Sequence, residues 1–340
     1  MQRSMTSTQR SLAERVLASG PAVAALALLQ RASLDRCTVL LYHSVTPPGE
    51  YPGLDAASYR AQMALLAEEF HVISADQYLR HLGGETKLPP RSVLVTFDDG
   101  FLNNLEVVQP IMRQFGLPWV LFTTTGALRG GDPWLWGTRL KACCLFAQTD
   151  LVELLGKRWS LGSSFRERLA VYKQMNRLAA ALPMSETLPP IEAWIERHWP
   201  EVPADYVDSH CRLLNASQLQ ELADSPLVEI GCHTRTHPFL NRIPEAALAD
   251  EIDGAMNDLE EITGRRPRMF AYPSGAFGRR EARRVAAAGA ACGFAVADVV
   301  DARSPYEIPR FGVYSPGTTV LRAKGLGLGR HLRRLGVPVG

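Results

Sequence analysis

Two short segments carry side chains whose types and spacing suit hydrolytic chemistry. The first is Thr96-Phe97-Asp98-Asp99-Gly100. Adjacent carboxylates repel and resist burial, so a pair at the end of an apolar run calls for a cation. Asp-Asp-Gly is also good chemistry for a solvated turn, and the motif alone does not choose between the two. The second segment is His233-Thr234-Arg235-Thr236-His237-Pro238. Imidazoles four residues apart can reach one point, and imidazole with carboxylate suits zinc, iron, cobalt or nickel. Pro238 disfavours helical φ/ψ at His237, so a tight loop is the expected setting. An isolated pair of this kind is more often two surface histidines. Together, the segments offer one carboxylate and two imidazoles as a facial ligand set, with positions left for water and substrate. The second aspartate is then free to act as a base.

Both segments must be held by something rigid, and the pattern of apolar runs supplies it. Cys37 to Tyr42 and Ser92 to Phe97 read as buried strands, and Trp119 to Thr123, Leu227 to Ile230, Met269 to Ala271 and Gly293 to Ala297 as further strands. His71 to Ile73 is a short strand candidate. Helical periodicity covers Ala56 to Phe70, Leu105 to Phe115, Ser217 to Ala223, Pro244 to Thr263 and Arg279 to Ala288. Strand–helix alternation predicts an α/β fold with a parallel sheet. Each motif follows a predicted strand, and active sites collect at the C-terminal strand ends of such folds. Between them, Trp134 to about Asn215 is rich in Leu, Ala, Arg and Glu and reads as a mostly helical insertion.

The bulk composition adds bounds. The 340 residues are 46% hydrophobic and carry a net charge of +2, which gives no reason to expect a nucleic-acid partner. The cysteines Cys37, Cys143, Cys144, Cys211, Cys232 and Cys292 form no CxxC pair, which points to buried thiols. Val16 to Leu29 is apolar and follows Arg3, Arg10 and Arg15. Glu14, the Gly20-Pro21 interruption and the lack of a small-residue cleavage site argue against a signal peptide. The run is also shorter than the ~20 residues a bilayer span needs. A helix packed on the domain or resting on a membrane surface is expected, in the cytoplasm or peripheral to the inner membrane, with secretion left open. From about Leu321 the chain is basic and Gly-punctuated, as a solvated tail or a surface helix would be.

With these residues in view, the chain resembles the polysaccharide deacetylase family, also called the NodB-homology or carbohydrate esterase family 4 group. Thr96 to Gly100 matches its first motif and His233 to His237 its second, in the right order. Phe270 to Gly275 resembles the third motif. Leu41-Tyr42-His43-Ser44-Val45 resembles the YH-x-V opening of one branch, and Ile308-Pro309-Arg310 that branch's closing element. The resemblance covers about residues 37 to 315.

It implies a distorted, incomplete (β/α)7-type barrel over 37–133 and 216–320, preceded by an N-terminal segment (1–36), interrupted by the insertion (134–215) and followed by a basic tail (321–340). It also implies that Asp99, His233 and His237 bind a divalent metal, with zinc favoured, and that Asp98 is the catalytic base. The implied activity is removal of N-acetyl groups from a glycan or lipid-linked sugar, with peripheral membrane contact left open. The third motif, Tyr272, Pro273, Ser274 and Gly275, would meet the substrate and supply an oxyanion N–H around Ser274. Two departures stand out. Simpler members carry an arginine where this chain has Ala271, and Arg310 is the candidate replacement. Many members place an acid histidine near the C-terminus, where this chain has only His331; His43, ending the first strand, is the better candidate. His71, His81, His198 and His210 carry no such signal. Trp134 and Trp136 would either stack on sugar or dock the insertion, whereas Phe97 and Phe101 pack around the aspartates. Two rival readings stay open: a hydrolase of another C–N amide, such as a deformylase, and a non-catalytic glycan-binding module.

Overall fold

The structure, a computed structural model, describes residues 37–47, 51, 53–296 and 304–327. The N-terminal segment 1–36, with its apolar run, and the tail residues 328–340, with His331, lie outside them. Among the described residues no helix is long and apolar enough to cross a membrane.

Eight parallel strands form the main sheet. They are β1 (Cys37–Tyr42), β2 (His71–Val72), β3 (Ser92–Phe97), β4 (Trp119–Thr123), β7 (Val228–Cys232), β8 (Met269–Ala271), β9 (Cys292–Val296) and β10 (Ile308–Gly312). Seven of them close into a ring, β1-β10-β9-β8-β7-β4-β3, because β1 pairs with β3 from Cys37↔Ser92 through Tyr42↔Phe97. That pairing occupies one edge of β3. On the other edge, β2 takes the first two residues and β4 the last two. The wedge of β2 is where the barrel is distorted, and the ring has one strand fewer than an eightfold barrel. Strand β10 was not evident as a strand in the sequence, since Pro309 interrupts a short run.

Alternation along each strand sorts the core into an inner and an outer layer. Val39, Leu94, Phe122, Ala271, Phe294 and Ile308 pack together inside the ring. Val93, Val95, Phe97 and Trp119 face outward, against helices that include α1 (Ala56–Glu69). Tyr78, on α2 (Ala75–Leu82), packs in the inner layer against Phe294, so α2 plugs the N-terminal end. The C-terminal mouth stays open to carry the site. By the same parity, Thr96 and Asp98 follow Leu94 into the lumen, and Arg310 follows Ile308.

The insertion enters after β4 and has its own core. Its helices are α3 (Trp136–Phe146), α4 (Phe165–Ala181) and α5 (Met184–His198). Between α3 and α4 lies an antiparallel hairpin, β5 (Leu151–Leu154) and β6 (Lys157–Ser160), within an otherwise mostly helical insertion. Leu155 and Gly156 both have φ > 0, the two-residue turn such a hairpin uses.

Thr318–Gly325 is helix α6, with Leu321 fully buried, so of the two readings of this stretch the helix is the one found, and residues through 327 pack on the barrel. All six cysteines are buried.

Candidate metal centre and active site

β3 ends in a turn that only a few backbones can make. Asp99 has φ 79° and Gly100 φ 82°. A Cβ at Gly100 would stand 2.1 Å from Thr123 Oγ1, so the turn needs glycine for space as well as for φ. The turn sends two consecutive carboxylates to different partners. Asp98 meets Arg310, and Asp99 meets the histidine loop that follows β7.

The three ligand atoms of Asp99, His233 and His237 lie within 4.8 Å of one another. His233 Nε2 and His237 Nε2 stand 3.5 and 3.4 Å from Asp99 Oδ1. That oxygen is buried and accepts no hydrogen bond. His233 Nδ1 lies 2.8 Å from the Ala271 carbonyl oxygen, which can only accept, so the proton sits on Nδ1 and the Nε2 lone pair faces the cluster. Burial lowers the His237 imidazole to about 4, which leaves it neutral and able to ligate. An orphaned carboxylate oxygen facing two imidazole nitrogens fits a divalent cation, and the set of two nitrogens and one oxygen suits zinc.

The loop that carries both imidazoles is strained and then clamped. Asp99, Thr234, His237 and Ser274 account for four of the six described non-glycine residues with positive φ. Such conformations cost about 1–3 kcal/mol each and persist only where the surroundings enforce them. Glu251 enforces this one. It accepts the N–H groups of Arg235 (2.9 Å) and Thr236 (3.0 Å) and the Thr236 hydroxyl (2.5 Å). Asp258 holds the Arg235 guanidinium and the Thr125 hydroxyl. Glu251 sits in a π-helical turn, Asp250–Gly254, inside the continuous helical run Glu245–Thr263 expected over Pro244 to Thr263. Neither acid was singled out in the sequence. Glu251→Leu removes the acceptor that both loop N–H groups and the Thr236 hydroxyl meet. Metal affinity should fall by about 10–100-fold with the fold retained. Equal zinc affinity in the two proteins, measured by chelator competition, would show that the clamp is dispensable.

Arg310 is fully buried and forks onto Asp98, Nη1 to Oδ1 and Nη2 to Oδ2, both at 2.6 Å. Its guanidinium also lies over the Phe122 ring, 5.3 Å from the centroid. Burial alone would raise the Asp98 carboxyl, but Arg310 and His233 outweigh it, and the group lies below the usual carboxylate range. The guanidinium absent at Ala271 thus reaches the same mouth from β10.

His43 follows β1 directly. Its Nδ1 is buried without a hydrogen-bond partner, and the ring acts electrostatically on Asp98, Asp99 and His237. The backbone there is fixed by Asn104, whose side-chain amide donates to the His43 carbonyl at 2.9 Å.

The third motif is only partly available to substrate. The Tyr272 ring is fully buried, stacked on Phe277 at 3.9 Å, and its hydroxyl donates to the Tyr306 carbonyl. The N–H groups of Tyr272 and Gly275 are spent on Phe294 and Tyr272 carbonyls, and Pro273 has none. Tyr272, Pro273 and Gly275 are therefore structural. Ser274, exposed and at φ 53°, keeps a backbone N–H with no partner among the described residues.

The aromatics divide as well. Trp136 donates its Nε1–H to the His237 carbonyl at 3.0 Å, docking the insertion on the ligand loop. Trp134 packs on Trp199 within the insertion core. Phe97 and Phe101 are buried.

Residues 170–293 match the family model described as polysaccharide deacetylase. This segment holds His233, His237 and the third motif but stops short of Asp98 and Asp99, which join them only through the fold. A Streptococcus pyogenes deacetylase, PplD, solved with acetate, superposes with a TM-score of 0.57 at 13% identity, over 85% of this chain and 99% of that one. IcaB from Ammonifex degensii gives 0.56 at 18%, over 86% and 97%. The BpsB deacetylase domain from Bordetella bronchiseptica gives 0.50 at 18%, over 81% and 95%. No curated protein sequence matches the chain. The solved structures establish a shared fold at these identities. The histidine motif lies inside the matched segment, and the seven-stranded barrel around it has the fold of these deacetylase structures.

Proposed function

We propose that this protein is a metal-dependent hydrolase that removes N-acetyl groups from an N-acetylated sugar or polysaccharide and releases acetate. One observation carries the reading: the ligand atoms of Asp99, His233 and His237 converge within 4.8 Å, with Asp98 oriented beside them. A glycan-binding module has no use for a buried, arginine-braced carboxylate next to a metal cluster. The acetate in the PplD structure is the product class expected here.

When bound, a zinc ion at this cluster polarises the amide carbonyl and acidifies a water. Asp98 accepts the proton of the attacking water. Arg310 keeps that carboxylate ionised and fixes its plane, so that a lone pair stays directed at the water. The Ser274 N–H donates to the developing oxyanion. His43, across the mouth, hands a proton to the departing amine.

Acetate release is to be measured on chitooligosaccharides and bacterial exopolysaccharides. Chelation should abolish it and added zinc should restore it. Formate release in place of acetate would redirect the reading to a deformylase. A zinc-loaded protein that frees no acid from any amidated sugar would sink it.

A further inference from the structure

One aromatic ring stands open at the mouth, and the chemistry above does not use it. Among the described residues four large apolar side chains are exposed. Leu82 ends α2, and Leu151 and Phe165 belong to the insertion. The fourth is Tyr314, 69% exposed, just past the end of β10.

Strand register brings Tyr314 to the reacting groups. β1 lies between β3 and β10, with Tyr42 opposite Phe97 and Leu41 opposite Gly312. The Asp98 N–H donates to the Tyr42 carbonyl (3.0 Å) and the Val313 N–H to the Leu41 carbonyl (2.8 Å), so the pairing continues past the strand ends. Asp98, His43 and Tyr314 are therefore neighbours along the rim. By the alternation that turns Asp98 and Arg310 into the lumen, His43 follows Val39 and Tyr314 follows Arg310. The rings agree with that count: the Tyr314 and His43 centroids are 6.0 Å apart, with 30° between their planes.

The Tyr314 ring is held as well as exposed. It lies over the end of its own strand, where a Cβ at Gly312 would stand 2.7 Å from Tyr314 Cζ. A side chain at 312 would push the ring away. The backbone is fixed on both sides, by the Val313 N–H bond before it and by Gln62 after it. Gln62, fully buried on α1, donates from Nε2 to the Ser315 carbonyl (2.8 Å) and accepts from the Tyr42 hydroxyl (3.1 Å). Bracing of this kind reduces the ordering cost of a contact residue on binding. An aromatic face is a flat apolar surface on which the C–H face of a pyranose packs. Trp134 and Trp136 leave that role open, since one fills the insertion core and the other docks it.

His43 protonates the departing nitrogen, so the sugar that carries that nitrogen lies within its reach, and Tyr314 is the exposed ring beside it. We propose that Tyr314 is a substrate-binding residue whose ring stacks on the pyranose that loses its acetyl group. The proposal rests on the deacetylase reading and adds the surface that holds the sugar.

Binding is measured without turnover, on chelator-stripped protein titrated with tetra-N-acetylchitotetraose. Tyr314→Ala should weaken affinity about ten-fold, on the order of one aromatic contact. It should also abolish the upfield shift that the ring imposes on sugar C–H protons in NMR spectra. Tyr314→Phe and Tyr314→Trp retain a ring and should retain most of the affinity. Gly312→Ala keeps Tyr314 but displaces its ring, so it should weaken binding in wild type and add nothing in Tyr314→Ala. On the zinc-loaded enzyme, the loss in Tyr314→Ala should appear in KM more than in kcat. Equal affinity in wild type and Tyr314→Ala, including none in either, overturns the proposal. So does Tyr314→Phe as weak as Tyr314→Ala, because the hydroxyl would then be the active part. A fall in kcat with KM unchanged overturns it too, and would make Tyr314 a support for His43. A wild type that binds the oligomer through Tyr314 yet frees no acid from any amidated sugar leaves the stacking role standing while the deacetylase reading fails.

Discussion

Asp98→Asn is expected to keep its metal and lose turnover by about two to four orders of magnitude, the usual worth of a positioned general base. Asparagine matches the carboxylate in size, and its carbonyl can still accept from Arg310. It has no basic oxygen to take the water's proton. Asp99, His233 and His237 are untouched, so zinc stoichiometry should stay at the wild-type value. His237→Ala is the contrasting variant. It removes one of three ligands and should lose metal and turnover together. Metal content and kcat measured on both variants separate the two roles. Full activity in Asp98→Asn would mean that the base lies elsewhere.

The second large effect concerns the partner of that base. Arg310 is fully buried, and among the described residues its only carboxylate partner is Asp98. Removing one member of a buried pair strands the other, at about 3–5 kcal/mol. Arg310→Met should therefore destabilise the protein by that order and impair turnover as well, since Asp98 loses both its charge balance and its orientation. Arg310→Lys keeps a charge but not the two-pronged geometry, and should recover part of the stability and less of the activity.

The pH dependence gives the sign. Burial raises the Asp98 carboxyl and Arg310 lowers it further, so its folded value lies below the unfolded one. The stability from the pair is complete above the unfolded value of about 4 and is lost as pH falls through the lower folded value. The gap between wild type and Arg310→Met, followed by urea denaturation, should narrow in acid. A gap that widened in acid, or a variant as stable as wild type at neutral pH, would contradict the pairing.

Arg310 also shows how far a sequence reading reaches. The missing arginine at Ala271 was plain from the motif, and a substitute near the end of the chain could be named. That the substitute faces Asp98 follows from strand parity only once β10 is known to pair with β1 and β9. The third motif went the other way. Its four residues look equivalent in sequence, yet three are spent on turn hydrogen bonds, core stacking or a proline ring, and only the Ser274 N–H remains. His210 was set aside as one of several histidines in helical segments. Nothing in its neighbours reveals that hydrogen bonds to Gly100 and Leu102 bring its segment against the aspartate turn.

The sequence by itself determined the elements and the chemistry. Short, β-branched apolar runs bounded by turn residues read as strands buried on both faces, and Asp98-Asp99 with His233 and His237 are donor types that belong together. Those are local properties, set by side-chain periodicity and ligand preference. Tertiary structure decided which groups meet. Ring closure between β1 and β3, the reach of Arg310 from β10, the Glu251 clamp and the bond from Trp136 to the His237 carbonyl all join residues distant in the chain. Such contacts depend on the sum of packing over the whole barrel, and no short window of sequence carries that sum.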